Sequence, residues 1–169
     1  MTEPIYRLAA PEEVPAIADL WLAFQREHNA RFIRQVRVTK YNRERIVEHF
    51  GKLVGNCQLW VVVAEDALVG FAAVAPNRHP IDLFYASAAV SDLYLLPVWR
   101  GRGWGRTLLE RVVADIEARG LHAVTISYLA GNPAGDMYKA SGFRPFSQML
   151  IRPLADGMVK TGPEYPAEG

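Results

Sequence analysis

Seven consecutive positions, Arg100–Arg106, hold three glycines and three arginines in the order RGRGWGR. They stand between a β-like stretch stopped by Pro97 and a run of helical periodicity. Glycine at this density leaves backbone N–H groups unobstructed, and the first N–H groups of the following helix have no intrahelical acceptor. The helix dipole adds about half a positive charge at that same end. Arg100, Arg102 and Arg106 can meet phosphate oxygens from around the rim, so the turn suits a phosphate. The bland alternative is an ordinary glycine-rich connection with solvated arginines. A Walker loop is excluded because no Gly-Lys precedes a Ser or Thr here, and a Rossmann fingerprint fails where its third glycine would fall on Leu108.

The frame around this turn is that of one globular domain. A chain of 169 residues, half of them hydrophobic and 22% charged, is long enough for a full core and too apolar for general disorder. A net charge of +1 gives no electrostatic reason to expect nucleic acid or a membrane surface as a partner. The opening MTEPIYRLAAPEEVP has no basic region followed by an apolar core, and no apolar run approaches the roughly 20 residues that span a bilayer. The expectation is a cytoplasmic protein. Cys57 is alone, which rules out an internal disulfide, and its flanks read as the start of a strand with a buried thiol. His49, His79 and His122 lack metal-ligand spacing, so no metal is expected.

Periodicity places the elements. IYRLA suits a first strand, and PEEVPAIADLWLAFQREHN a helix with Val14, Ile17, Ala18, Trp21, Leu22 and Gln25 on one stripe. A basic loop precedes a second helix, RERIVEHFGKLVG, with Gly55 as its stop. QLWVVVAEDALVGFAAVAPN reads as a hairpin turning at EDA, AAVSDLYLLP as a strand, and WGRTLLERVVADIEARG as an amphipathic helix with an Asp115–Arg119 pair. HAVTISYLA is a further strand, PAGDMYKAS a short helix, and GFRPFSQMLIRP a turn and final strand. The expected domain spans 1–152, and a Gly- and Pro-rich tail spans 153–169 as a mobile end or contact arm.

Arg100-Gly101-Arg102-Gly103-Trp104-Gly105 has the form Arg-x-x-Gly-x-Gly between a strand and a helix, and it resembles the acetyl-CoA signature of the GNAT superfamily of N-acetyltransferases. The wider string SDLYLLPVWRGRGWGRTLLE looks like that family's central strand, pyrophosphate loop and helix, and is nearest to its diamine and small-amine branch. VTISYLAGNPAGDMYKASGFRP is similar to the family's next strand, short helix and closing Gly-Phe turn. There is one departure. The family often carries Asn three positions before a small residue of this helix; here Gly131 holds that place relative to Ala134, and Asn132 comes one later. The resemblance implies an α/β (α+β) domain with a mixed, mostly antiparallel sheet of about six to seven strands and about four helices.

The resemblance also implies roles. Acetyl-CoA would be held by Gly101, Gly103, Gly105 and neighbouring amides, with Arg100, Arg102, Trp104, Arg106, Thr107 and Asn132 in support. Leu93, Tyr94 and Leu95 would line the pantetheine arm, with the Leu95 amide polarising the thioester carbonyl. Trp104 would also pack the helix beneath the loop, and Trp99 would either cover the cofactor or seal the sheet. Tyr138 would protonate the departing thiolate, and Asp92, beside the pantetheine strand, is the first candidate base. Asp92 could equally orient the substrate or satisfy a loop amide. Glu27 and His28 fall in the region that commonly forms the acceptor wall, which makes them substrate residues and second candidates for the base, with a water chain as the other route for the proton. The expected reaction is direct attack of a small-molecule primary amine on the thioester, with acetylation of a protein N-terminus or lysine as the alternative. A regulatory domain that binds acyl-CoA without turnover is the alternative of another class. Many relatives dimerise through late strands, which makes a homodimer the expected assembly.

Overall fold

The computed structural model describes residues 3–32, 42–76 and 87–147. β1 (Ile5–Leu8) and a 3-10 turn (Pro11–Glu13) lead into α1 (Val14–Phe32). Then come α2 (Arg43–Gly55), β2 (Leu59–Ala64), β3 (Ala67–Pro76) and β4 (Ser87–Leu95). A second 3-10 turn (Pro97–Trp99) precedes α3 (Trp104–Ala118), β5 (Ala123–Ile126) and α4 (Ala134–Ala140). The strands lie in the order β1-β2-β3-β4-β5, antiparallel up to β4, which pairs parallel with β5. Parallel pairing requires a crossover, and α3 supplies it.

Both faces of the sheet are covered, which explains why β2 and β3 read as unbroken apolar runs. On one face Val14, Ile17 and Ala18 of α1 and Phe50 and Leu53 of α2 pack on Leu59, Val61, Phe71, Ala73 and Tyr94. On the other, Leu108, Leu109, Val112 and Ile116 of α3 meet Val62, Val69, Ala72, Val74, Val90 and Leu95. Of the stripe expected on α1, Val14, Ile17 and Ala18 are buried and Trp21, Leu22 and Gln25 half-buried, with Leu20 buried outside it; Asp115 and Arg119 of α3 pair at 2.6 Å. The β2–β3 connection narrows to Glu65 and Asp66, both at positive φ (51° and 58°), as a two-residue hairpin turn requires.

Three expectations change. Five strands form among the described residues instead of about six to seven; no strand forms over Gly142–Ser147, and residues 148–152 of the expected last strand lie outside the described set, as do the tail 153–169, the basic loop 33–41 and His79. β5 stops at Ile126, short of the expected stretch to Ala130, because its pairing with β4 ends there. Cys57 is exposed, not a buried strand residue. It adopts a left-handed conformation (φ 53°) that closes α2, donating its N–H to the Val54 carbonyl at 3.0 Å.

Two bulges, at Val69 of β3 opposite Val62 and Val63 and at Ser91 of β4, set which side chains reach which face. Ala73 pairs with Asp92 while Val74 pairs with Val90, so Ser91 is the extra residue on β4. An extra residue inverts the alternation beyond it. Ala88 and Val90 face α3; past the bulge Leu93 and Leu95 continue on that face, while Tyr94 turns to the α1 side. At the far end Gly70 lies under β4, where a Cβ would sit 2.6 Å from the Tyr94 carbonyl oxygen. Phe71 is fully buried at the centre of the α1/α2 face, edge-on to Phe50 at 5.8 Å and 6.3 Å from Tyr94. Phe71→Ala is expected to cost about 3–5 kcal/mol in urea unfolding; a loss under about 1 kcal/mol would contradict this core.

Candidate active site

The β4–β5 ladder runs from Ser87↔Ala123 to Val90↔Ile126 and stops, whereas β4 continues to Leu95. Among the described residues, one edge of β4 beyond the bulge therefore has no strand partner. The Leu96 N–H donates to the Val69 carbonyl at 2.9 Å, flanking the Leu95↔Gly70 pair. That bond marks Leu95↔Gly70 as a non-hydrogen-bonded pair, so the N–H and C=O of Leu95 turn away from β3 and toward the opened edge. By the same alternation Leu93 does so too. An extended amide-bearing arm could pair there as an added strand.

Just past this edge the loop enters α3. Gly101 (φ 76°) and Gly103 (φ 79°) hold left-handed conformations that a side chain would strain. Gly103 caps α3 with no side-chain hydrogen bond, and the first intrahelical bond runs from the Thr107 N–H to the Gly103 carbonyl at 3.0 Å. The amides of Trp104, Gly105 and Arg106 therefore precede the helical ladder, at the positive end of a helix with no acidic residue in its first turn. Backbone amides and the positive end of the helix dipole thus come together at the position expected for the anion cradle.

The side chains expected to support it have partners within the protein. Arg100 donates Nε to the Leu95 carbonyl at 2.9 Å and both terminal nitrogens to the Glu27 carboxylate at 2.6 and 2.7 Å. Arg106 pairs with Glu110 at 2.8 Å, one turn along α3. Arg102 lies over Trp99 and Trp104 (4.8 and 5.4 Å to the centroids), which stack on each other at 5.1 Å, so Trp99 packs on Trp104 beside the loop. The Thr107 hydroxyl turns back on the Gly103 carbonyl at 3.4 Å. Asn132 uses its side-chain oxygen to accept from the Ala134 N–H at 3.0 Å, tightening the approach to α4.

On the α1 side, Trp21 Nε1 donates to Asp92 Oδ1 at 2.9 Å and Ser91 Oγ to Asp92 Oδ2 at 2.8 Å, which orients the carboxylate. Phe24, one turn on, packs against Tyr94 (5.4 Å) and His28 (5.1 Å). The Arg100 guanidinium hydrogen-bonded to Glu27 holds that carboxyl below its usual range, which makes it a firm anion and a weak base. Burial pushes the His28 imidazole down, against the pull of Asp92 and Glu27, and keeps it neutral near pH 7. On the opposite face Tyr138 of α4 is buried in the cluster containing Leu95 and Leu108, edge-on to Tyr128 at 5.7 Å. Burial raises its hydroxyl to about 12, so it stays protonated.

The structure thus brings Asp92, Leu93, Tyr94, Leu95, Glu27 and His28 together at the end of β4, with the glycine cradle beyond them and Tyr138 across the sheet. Trp21 and Ser91 belong to this group and carry no sequence signal of it: a tryptophan on a helical stripe reads as core, and a bulge has no local signature. Among the described residues no cluster of three or more metal-ligating side chains occurs, and no helix is long and apolar enough to cross a membrane.

A sequence model described as an acetyltransferase (GNAT) domain matches residues 55–145. No curated protein matches the chain. Several solved structures share its fold. A predicted acetyltransferase from Clostridium acetobutylicum, determined with acetyl-CoA, is 18% identical with a TM-score of 0.72, the match covering 89% of this chain and 96% of that one. A tetramutant protein from Bacillus halodurans is 21% identical (TM-score 0.73; 89% and 99% covered). A ribosomal-protein-alanine N-acetyltransferase from Brucella melitensis is 23% identical (TM-score 0.67; 83% and 84% covered). The matched segment is more than half of the 169 residues and contains β4, the glycine cradle, α3 and α4, and it establishes the chain as a member of the GNAT family, an N-acetyltransferase of the acyl-CoA-dependent kind.

Proposed function

We propose that this enzyme transfers the acetyl group of acetyl-CoA directly to the primary amine of a small molecule. The observation that carries the reading is the edge of β4 opened beyond β5, where Leu95 turns its N–H outward, with Asp92 and α1 on one face and Tyr138 of α4 on the other. The uncapped start of α3 and the two left-handed glycines suit the pyrophosphate of acetyl-CoA, and the outward groups of Leu93 and Leu95 suit its amide arm. Acetyl-CoA supplies the activated thioester. The Leu95 N–H points to where negative charge develops on the acetyl oxygen during attack.

The acceptor arrives mostly as an ammonium, because a lysine-type amine has a pKa of about 10.4. Asp92, oriented by Trp21 and Ser91, attracts that cation. His28, neutral and within the field of Asp92, takes the proton so that the nitrogen lone pair is freed for attack. This division suits the chemistry: both Asp92 oxygens already accept hydrogen bonds, whereas a neutral imidazole is a proton acceptor near pH 7. The C–N bond forms and the C–S bond breaks; Tyr138 gives its proton to the departing sulfur, and the second proton leaving the nitrogen, as the ammonium-like adduct becomes the amide, restores the Tyr138 hydroxyl. A small acceptor is supported by the likeness of SDLYLLPVWRGRGWG to the small-amine branch. Acetylation of a protein N-terminus is the second reading, favoured by the likeness to the Brucella melitensis enzyme.

A screen that follows free thiol release from acetyl-CoA with mono- and diamines, amino acids, aminoglycosides and alanine-terminated peptides separates these readings. Turnover with small amines and none with peptides is expected; the reverse pattern overturns the small-molecule assignment. In kcat against pH, the acid limb should fall below the ordinary histidine value of 6.5 and disappear in His28→Ala. Tyr138 loses its proton only near 12, so no alkaline fall is expected up to pH ~10. Tyr138→Phe should lower kcat roughly 100- to 10,000-fold with little change in acetyl-CoA affinity, and equal turnover would remove it from the mechanism.

A further inference from the structure

We propose that Glu27 is a positioning residue for the carbonyl-binding end of β4 and acts through Arg100, an inference that rests on the acetyl-transfer reading above. Arg100 is the first residue of the loop signature, yet its guanidinium faces away from the cradle. Its Nε holds the Leu95 carbonyl at 2.9 Å, and its two terminal nitrogens meet the two Glu27 oxygens at 2.6 and 2.7 Å. The plane of the guanidinium lies over the Tyr94 ring at 5.2 Å, and the Tyr94 hydroxyl reaches Glu27 Oε2 at 3.4 Å. Arg31 adds a contact to Glu27 Oε1 at 3.3 Å.

One node therefore joins α1, the end of β4 and the loop. A bidentate fork fixes both the position and the plane of a guanidinium, which a single point contact does not. Glu27 sets the plane of Arg100, and Arg100 Nε sets the Leu95 carbonyl. The Leu95 residue is then pinned on its C-terminal side by Arg100 and by the Leu96–Val69 hydrogen bond, so its own N–H keeps a defined direction at the opened edge. Catalysis by such a donor depends on its aim before the reaction starts. Glu27 is thereby assigned to the donor side of the reaction, not to contact with the amine, although α1 forms the acceptor wall.

The test compares Glu27→Gln, Arg100→Ala and the double variant, with steady-state kinetics and calorimetric binding of coenzyme A and acetyl-CoA. Glu27→Gln and Arg100→Ala are each expected to lower kcat about ten- to hundredfold. The KM of the acceptor and the Kd of coenzyme A should stay within about threefold of wild type, and the double variant should be no slower than Arg100→Ala alone. Should Arg100→Ala fail to fold, Arg100→Lys, which keeps the charge without the fork, takes its place with the same expected loss. A raised acceptor KM at unchanged kcat in Glu27→Gln would make Glu27 an acceptor ligand and overturn the proposal. So would a coenzyme A Kd raised tenfold in Arg100→Ala, which would make that residue a pyrophosphate ligand. Wild-type protein that releases no thiol with any amine removes the acetyl-transfer reading and this inference with it. Wild-type turnover matched by an equal kcat in Glu27→Gln removes this inference alone.

Discussion

The extra residue in β4 is the constraint on which the rest of the site depends. Without Ser91 as a bulge, strict alternation would keep Asp92 on the α3 face with Ala88 and Val90, and would turn Leu93 and Leu95 toward α1. With it, Asp92 meets the indole of Trp21, Tyr94 packs under Phe24, and Leu95 joins the cluster of Tyr138. The same stretch leaves the parallel ladder with β5, so among the described residues the re-aimed strand also has an edge with no strand on it. One inserted residue thereby sends the Asp92 carboxylate and the Tyr94 ring to the α1 side and Leu93 and Leu95 to the side of α3 and Tyr138.

Charge around the phosphate cradle follows from a related economy. Arg100 and Arg106 pair with Glu27 and Glu110, and Arg102 lies on two indoles, so the proposed anion site rests on the backbone amides and the helix dipole at the start of α3. Backbone donors need no side-chain ordering, which suits a fixed pyrophosphate position. The arginines in turn stiffen the ends of the loop: Arg100 ties it to β4 and α1, and Arg102 also donates to the Val98 carbonyl at 3.2 Å.

Much of this was legible in the sequence. Helical periodicity located α1, α2 and α3, the hairpin was readable from two apolar runs about a polar turn, and the glycine spacing marked the loop that enters α3. Tyr138 was legible as part of a motif, and burial in the structure explains how its hydroxyl keeps its proton. What escaped depends on contacts between distant segments. The bulge at Ser91 is a register event with β3, the Trp21–Asp92 bond spans 71 positions, and the destination of Arg100 is a glutamate 73 positions away. Cys57 was misread because a left-handed helix-closing residue is ordinarily glycine or asparagine, and its sequence neighbours are those of a strand.

The central claim is that backbone amides at the start of α3 and the end of β4 bind acetyl-CoA in two separable parts. Amide chemical-shift mapping tests it most directly. Titration with coenzyme A is expected to shift the resonances of Gly101, Gly103, Trp104 and Gly105, and acetyl-CoA should shift the same set with an additional, larger displacement of Leu95. Loop amides that stay unmoved while either ligand binds, or a Leu95 resonance indifferent to the acetyl group, would contradict the account.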